Sequence, residues 1–259
     1  MADIDGVLLD IDGVLSVSWK PIPGSIQAMA AFRRAALSVC LITNTTTHTC
    51  RALARTLNDA GFDVEPEQIV TAVTATAEHL RTAHPGAAVF VLSDGDARDD
   101  MDDVQLVDAP EGADVIVLGG ASVDFTYDAI NRSFRRLMDG AALVAMHRNL
   151  YWKTAHGFEL DAGAYVTGLE AASGAEAVVC GKPAAEYFRA ALQVLGLPAE
   201  RAAMVGDDIV NDVGGARAVG LTGVLVRTGK YRDGDLERGA ADAVVDSLAD
   251  VPRWLGVAD

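Results

Sequence analysis

Four short runs of this chain are apolar without interruption: Gly6-Val7-Leu8-Leu9, Val39-Cys40-Leu41-Ile42, Ala202-Ala203-Met204-Val205 and Gly223-Val224-Leu225-Val226. A strand with one wet face alternates apolar and polar residues, whereas a strand covered on both faces does not. The runs therefore predict a parallel sheet covered by helices on both sides. Helical patterns fit between them, over 25–36 after the turn Ile22-Pro23-Gly24 and over 184–195 before Gly196-Leu197-Pro198. That alternation is a doubly wound α/β design.

The middle third has strands and helices of its own. Residues 88–92, 114–118 and 142–146 read as strands, and 127–138 as an amphipathic helix. Few groups able to do chemistry fall there, and the flanks carry nearly all of them. We expect a Rossmann-like core from 1–75 and 180–259, with a second, smaller α/β domain, 76–179, inserted into it. A chain of 259 residues can bury two such cores.

Charge excludes some partners. Lys plus Arg number 21 against 37 Asp plus Glu, a formal net charge of -16. Nucleic acid and anionic membrane surfaces both call for a basic face, so neither is expected as a partner. A small phosphorylated substrate remains compatible where metal ions and a few local cations offset the repulsion. The first residues, Met-Ala-Asp-Ile-Asp-Gly, are acidic where a signal peptide is basic, and no apolar run approaches a membrane span. Cys40, Cys50 and Cys180 show no Cys-x-x-Cys spacing. The expected location is cytoplasmic.

The chemistry lies where the apolar runs stop. Val7-Leu8-Leu9 runs into Asp10-Ile11-Asp12-Gly13, two carboxylates and a glycine. Asp10 can attack phosphorus, and Asp12 can give and then take a proton. An earlier copy of the pattern, Asp3-Ile4-Asp5-Gly6, has no strand before it, so Asp3 and Asp5 are expected to be solvated. Val39 to Ile42 runs into Thr43-Asn44, whose hydroxyl and backbone N–H groups can hold phosphoryl oxygens. One of Thr45, Thr46 and Thr47 is expected to cap a helix over 48–60. Cys180-Gly181-Lys182-Pro183 puts a lysine at a corner before a helix, where it can neutralise phosphate and nucleophile. Val205-Gly206-Asp207-Asp208 is followed by Asp212, and carboxylates packed this closely repel one another unless a cation joins them. Asp10, Asp207 and the Asp12 carbonyl are the expected Mg²⁺ ligands, with Asp208 and Asp212 in direct or water-mediated support.

Taken together and in this order, these motifs resemble the haloacid dehalogenase-like (HAD) hydrolases over essentially the whole chain. The segment between Thr43 and Lys182 falls where the type II, α/β-capped phosphatases of that superfamily carry their cap. Ile22-Pro23-Gly24, Leu160-Asp161-Ala162-Gly163-Ala164-Tyr165 and Val226-Arg227-Thr228-Gly229-Lys230-Tyr231 are most similar to a subgroup that includes phospholysine, phosphohistidine and pyrophosphate phosphatases. The resemblance implies a Mg²⁺-dependent phosphatase with Asp10 as nucleophile and Asp12 as acid/base. It also implies phosphoryl contacts from Thr43, Asn44, Thr45 and Lys182, metal on Asp10, Asp12 and Asp207, and a homodimer formed through the cap. One departure bears on substrate. Many capped relatives have Thr-Asn-Pro-Asp where this chain has His147-Arg148-Asn149-Leu150-Tyr151-Trp152, which argues against sugar phosphates and phosphoglycolate. Arg148 or Tyr151 would reach substrate or simply lie on the cap surface.

Two rivals use the same Asp, Thr, Lys and Mg²⁺: a phospho-accepting signalling module and a phosphomutase. The first needs neither Asp12 nor an inserted cap. The acidic stretch Asp94 to Asp103 lacks the glycine and terminal glutamate of a calcium loop and is expected to be solvated. The histidines at 48, 79, 84, 147 and 156 show no paired metal-ligand spacing.

Overall fold

All four apolar runs are strands of one six-stranded sheet in the computed structural model, which describes residues 4–154 and 157–257. The strands are β1 (Gly6–Asp10), β2 (Ser38–Thr43), β3 (Ile69–Thr71), β4 (Ala202–Gly206), β5 (Thr222–Val226) and β6 (Ala243–Val245), in the spatial order β6-β5-β4-β1-β2-β3. β1 pairs in parallel with β4 (Leu9 opposite Val205) and with β2 (Asp10 opposite Ile42), and β5 pairs in parallel with β4 and β6. Alternate residues of these strands face opposite ways. Val7, Leu9, Leu41 and Val205 join a core with Phe32 of α1 (Ser25–Arg34) and with Leu53 and Leu57 of α2 (Cys50–Asp59). Leu8, Cys40, Ile42 and Met204 are fully buried as well. Burial on both faces is what the unbroken apolar runs required.

This sheet belongs to the first of two compact units, 1–43, 50–70 and 182–259; the second comprises 44–49 and 71–181. The second unit has a parallel sheet in the order Ala177–Val179, Ala142–Ala145, Val115–Leu118, Val89–Leu92, Leu106–Val107. Its helices are Ala72–Ala83, Tyr127–Met138 and Ala162–Ser173, capped at their N-termini by the side chains of Thr71, Thr126 and Asp161. An antiparallel hairpin, Tyr151–Thr154 with Gly157–Leu160, was not foreseen.

Local chemistry accounts for other differences from expectation. α1 stops at Arg34 because Ala36 takes a left-handed φ of 56° while Leu37 N–H returns to Phe32 O. α2 begins at Cys50, too late for Thr45, Thr46 or Thr47 to cap it. Thr46 Oγ1 instead accepts the Gly120 N–H, and Thr45 and Thr47 share a hydroxyl hydrogen bond of 3.2 Å. The acidic stretch after Asp94 is a surface turn held by buried Ala97 and Met101. The three cysteines are buried and reduced. Asp5 is ion-paired with Arg201, while Asp3, His156 and the Trp152 side chain lie outside the described residues. Among the described residues, no helix is long and apolar enough to cross a membrane.

Candidate active site

β1, β2 and β4 run parallel, so their C-terminal ends share one edge of the first unit's sheet, where open α/β folds bind ligands. Asp10 closes β1, Thr43 closes β2, and Asp207 follows β4 directly. Lys182 stands just ahead of α3 (Ala185–Leu195) and reaches into the same edge. Its Nζ lies 2.6 Å from Asp10 Oδ1 and 2.7 Å from Asp212 Oδ1. Asp10, Lys182, Asp207 and Asp212 are buried, and Thr43 is partly so. Burial alone would lower the Lys182 pKa, but Asp10 and Asp212 raise it, so the ammonium stays charged.

One carboxylate oxygen from each of Asp10, Asp207 and Asp212 lies within 4.8 Å of the other two. The three buried carboxylates face the buried Lys182 ammonium, with the Lys230 ammonium as a second cation in their surroundings. Asp207 carries the strain most visibly. Its Oδ2 accepts the Lys230 N–H at 2.7 Å, while its Oδ1 is buried without a hydrogen-bond partner. Burial, then Asp10 and Asp212, push its pKa up to about 7. Burial likewise raises Asp212, and Lys182 only partly restrains it. An orphaned oxygen in a cluster of oxygen donors fits a hard cation such as Mg²⁺.

The sequence-expected residues divide. Asp10, Asp207, Asp212 and Lys182 converge, and Thr43 ends the neighbouring strand. Asp12 lies exposed in the turn beyond β1, with Gly13 (φ 93°) reversing the chain behind it. Asp208 is turned to another task. Its carboxylate accepts the Val210 and Asn211 N–H groups and the Asn211 amide, capping a π-helical turn, Ile209–Gly214. Those donors outweigh its burial and lower its pKa. The capped turn also brings Asp212 Oδ2 onto the Asp208 N–H at 3.1 Å. Asn44 and Thr45 continue the chain beyond β2 and are grouped with the second unit. There His147 is buried beside Asp161 (3.9 Å), Arg148 pairs with Glu170, and Tyr151 is exposed.

Several site residues carried no role in the sequence reading. Thr228 Oγ1 donates to Gly13 O at 2.5 Å and Lys230 supplies the backbone donor to Asp207, so the turn after β5 grips both neighbouring loops. A Cβ on Gly13 or Gly229 would stand 1.9 Å or 2.0 Å from Asp207 Oδ2. The signal was present: Gly223 to Val226 is another apolar run that stops at polar residues. Tyr187 of α3, beside this edge, had no place in the sequence reading either.

Comparison with known proteins gives a consistent picture. A haloacid dehalogenase-like hydrolase model matches residues 3–107, and a HAD-hydrolase-like model matches 179–251. The chain is 37% identical, over 96% of its length and 93% of the relative's, to phospholysine phosphohistidine inorganic pyrophosphate phosphatase of Rattus norvegicus. It superposes on p-nitrophenyl phosphatase from Archaeoglobus fulgidus with a TM-score of 0.91 and 28% identity, covering 97% of this chain and 99% of that one. A glycerol phosphate phosphatase from Mycobacterium tuberculosis, solved in complex with magnesium, gives a TM-score of 0.83 at 25% identity, covering 98% and 76%.

Proposed function

The chain belongs to the haloacid dehalogenase-like hydrolases, and from that membership we propose that it is a Mg²⁺-dependent phosphatase of small phosphate compounds, working through an aspartyl-phosphate on Asp10. The observation that carries the proposal is the buried cluster of Asp10, Asp207 and Asp212 with Lys182 and an unpartnered Asp207 oxygen.

In this reading Lys182 holds the Asp10 carboxylate in place, so that it can attack phosphorus. The bond from phosphorus to the leaving oxygen breaks as the Asp10 oxygen–phosphorus bond forms, and exposed Asp12 protonates the leaving oxygen. Asp12 then takes a proton from water as that water attacks the aspartyl-phosphate, freeing phosphate and restoring Asp10. Thr43, with Asn44 and Thr45 just beyond it, holds the transferring oxygens. Asp10, Asp207 and the Asp12 carbonyl would hold Mg²⁺, with Asp212 and Asp208 in support. The ion supplies charge neutralisation for the phosphoryl group and its nucleophile. The first unit serves as the catalytic core and the second as its cap. The protein works in the cytoplasm, and a homodimer through the cap is the association to look for.

Phosphomonoesters are the first substrates to try, with pyrophosphate and a phosphoramidate beside them. Phosphate release from such a panel, with Mg²⁺, with EDTA and with Asp10→Asn, tests the reading. Release that needs Mg²⁺ and disappears in the variant supports it. A folded protein with Mg²⁺ that turns over nothing contradicts it.

A further inference from the structure

The β2 strand ends at an awkward place. Its register with β1 closes at Ile42 opposite Asp10, so Thr43 stands one residue beyond the last pair. Here too the chain leaves the first unit, once after Thr43 and again after Val70, and it returns at Cys50 and at Lys182. Buried backbone groups at such points need partners. The Tyr187 hydroxyl supplies them. It accepts the Thr43 N–H at 2.8 Å and lies 2.8 Å from Thr43 O and 2.7 Å from Val70 O, the two carbonyls between which its proton is shared. Tyr187 is fully buried on α3, five residues beyond Lys182. Burial raises its pKa well above that of an ordinary phenol, so the hydroxyl keeps its proton.

We propose that Tyr187 is a positioning residue for the reaction, its phenol fixing the Thr43 peptide and the last turn of chain at both exits from the first unit. The inference rests on the phosphatase reading, which gives the Thr43 side chain its task of holding phosphoryl oxygens. A hydroxyl that must meet one oxygen of a transferring phosphoryl group cannot drift, because small misplacements of a catalytic donor cost large factors in rate. A phenylalanine at this position would fill nearly the same volume and remove these three hydrogen bonds. The phosphatase reading gives Tyr187 no contact with substrate or metal. Its hydrogen bonds run to the Thr43 N–H and to the Thr43 and Val70 carbonyls, and the path that bears on the reaction is the one through Thr43.

The test is a double-mutant cycle on p-nitrophenyl phosphate hydrolysis with Tyr187→Phe, Thr43→Ala and the pair, reading kcat and KM separately. Tyr187→Phe should lower kcat about tenfold with a smaller change in KM, as expected for an interaction that matters most in the transition state. In the Thr43→Ala background the same change should cost less than about twofold, because the group it positions is gone. Equal losses in both backgrounds, or a kcat within about twofold of wild type for Tyr187→Phe alone, would overturn the proposal. Should Tyr187→Phe not fold, amide hydrogen exchange on the wild-type protein decides. A Thr43 amide as protected as its neighbours in β2 supports the clamp, and fast exchange there overturns it. Wild-type protein that hydrolyses no phosphate compound would overturn the phosphatase reading itself, a distinct outcome from an active enzyme with an additive cycle.

Discussion

Replacing Asp207 by Asn should make the metal-free protein more stable and remove its response to Mg²⁺. In the metal-free protein Asp207 is a buried carboxylate with one unpartnered oxygen, and its pKa is pushed up to about 7 from an ordinary 3.8. A carboxyl whose folded pKa lies above its unfolded value binds its proton more tightly in the folded state. The folded state is therefore favoured at low pH and loses that advantage as pH rises from about 4 to about 7. Three units at about 1.4 kcal/mol each give a cost of about 4 kcal/mol above pH 7. About 3 kcal/mol of it accrues between pH 5 and pH 8. Asn cannot ionise, and its carbonyl oxygen can keep the Lys230 N–H. In EDTA the advantage of Asp207→Asn over wild type should grow by about 3 kcal/mol over that interval, or about 6–12 °C in Tm for a chain of this size. Saturating Mg²⁺ should then lift wild type by about 3 kcal/mol at a hundredfold excess over Kd and leave the variant unmoved. Calorimetric melting at both pH values, with and without Mg²⁺, reads all of this. A variant no more stable than wild type at pH 8 in EDTA, or a gap that does not change with pH, would refute the reasoning.

Lys182→Met should cost about 3–5 kcal/mol, since it strands two buried carboxylates. The deficit should be larger at pH 8 than at pH 5, because Asp212, which burial already pushes up to about 6, can take up a proton at the lower value; urea unfolding in EDTA at both values checks it. Gly229→Ala puts a Cβ 2.0 Å from Asp207 Oδ2 at a φ of +58° and should raise the Mg²⁺ needed for half-maximal activity at least about tenfold. Gly256→Ala, with a φ of +75° but open space around it, should cost about 1 kcal/mol and leave the Mg²⁺ requirement unchanged. Asp208→Ala should cost about 1–2 kcal/mol for the lost cap and Asp208→Asn less than half of that, measured by urea unfolding.

What was legible in the sequence is what an unbroken apolar run can carry. An apolar run covered on both faces announces a buried strand, and the polar residues at its end announce the ligand-binding edge. Asp10, Thr43 and Asp207 were readable by this route, and the decoy at Asp5 was separable because no strand precedes it. Lys182 was readable from its corner before a helix. The rest depends on tertiary placement. Asp208 and Asp212 look alike in sequence, and only the π-helical turn sends one to cap backbone amides and the other onto Lys182. Tyr187 sits at an ordinary core position of an amphipathic helix, so nothing local distinguishes its hydroxyl. β3 is three residues long, too short for any periodicity to register, and the hairpin strands of the second unit are four residues each, too short to stand out.

The central claim, that Asp10 carries the phosphoryl group, is tested most directly by Asp12→Ala treated with p-nitrophenyl phosphate and Mg²⁺, quenched in acid and examined by peptide mass spectrometry. p-Nitrophenolate leaves without a general acid, so the first step should survive while the water that discharges the intermediate goes unactivated. The account predicts near-stoichiometric phosphate on the peptide that begins the chain, located at Asp10 and absent when Asp10→Asn is added. Release of p-nitrophenol with no phosphate on the protein, or with phosphate on a different residue, would contradict it.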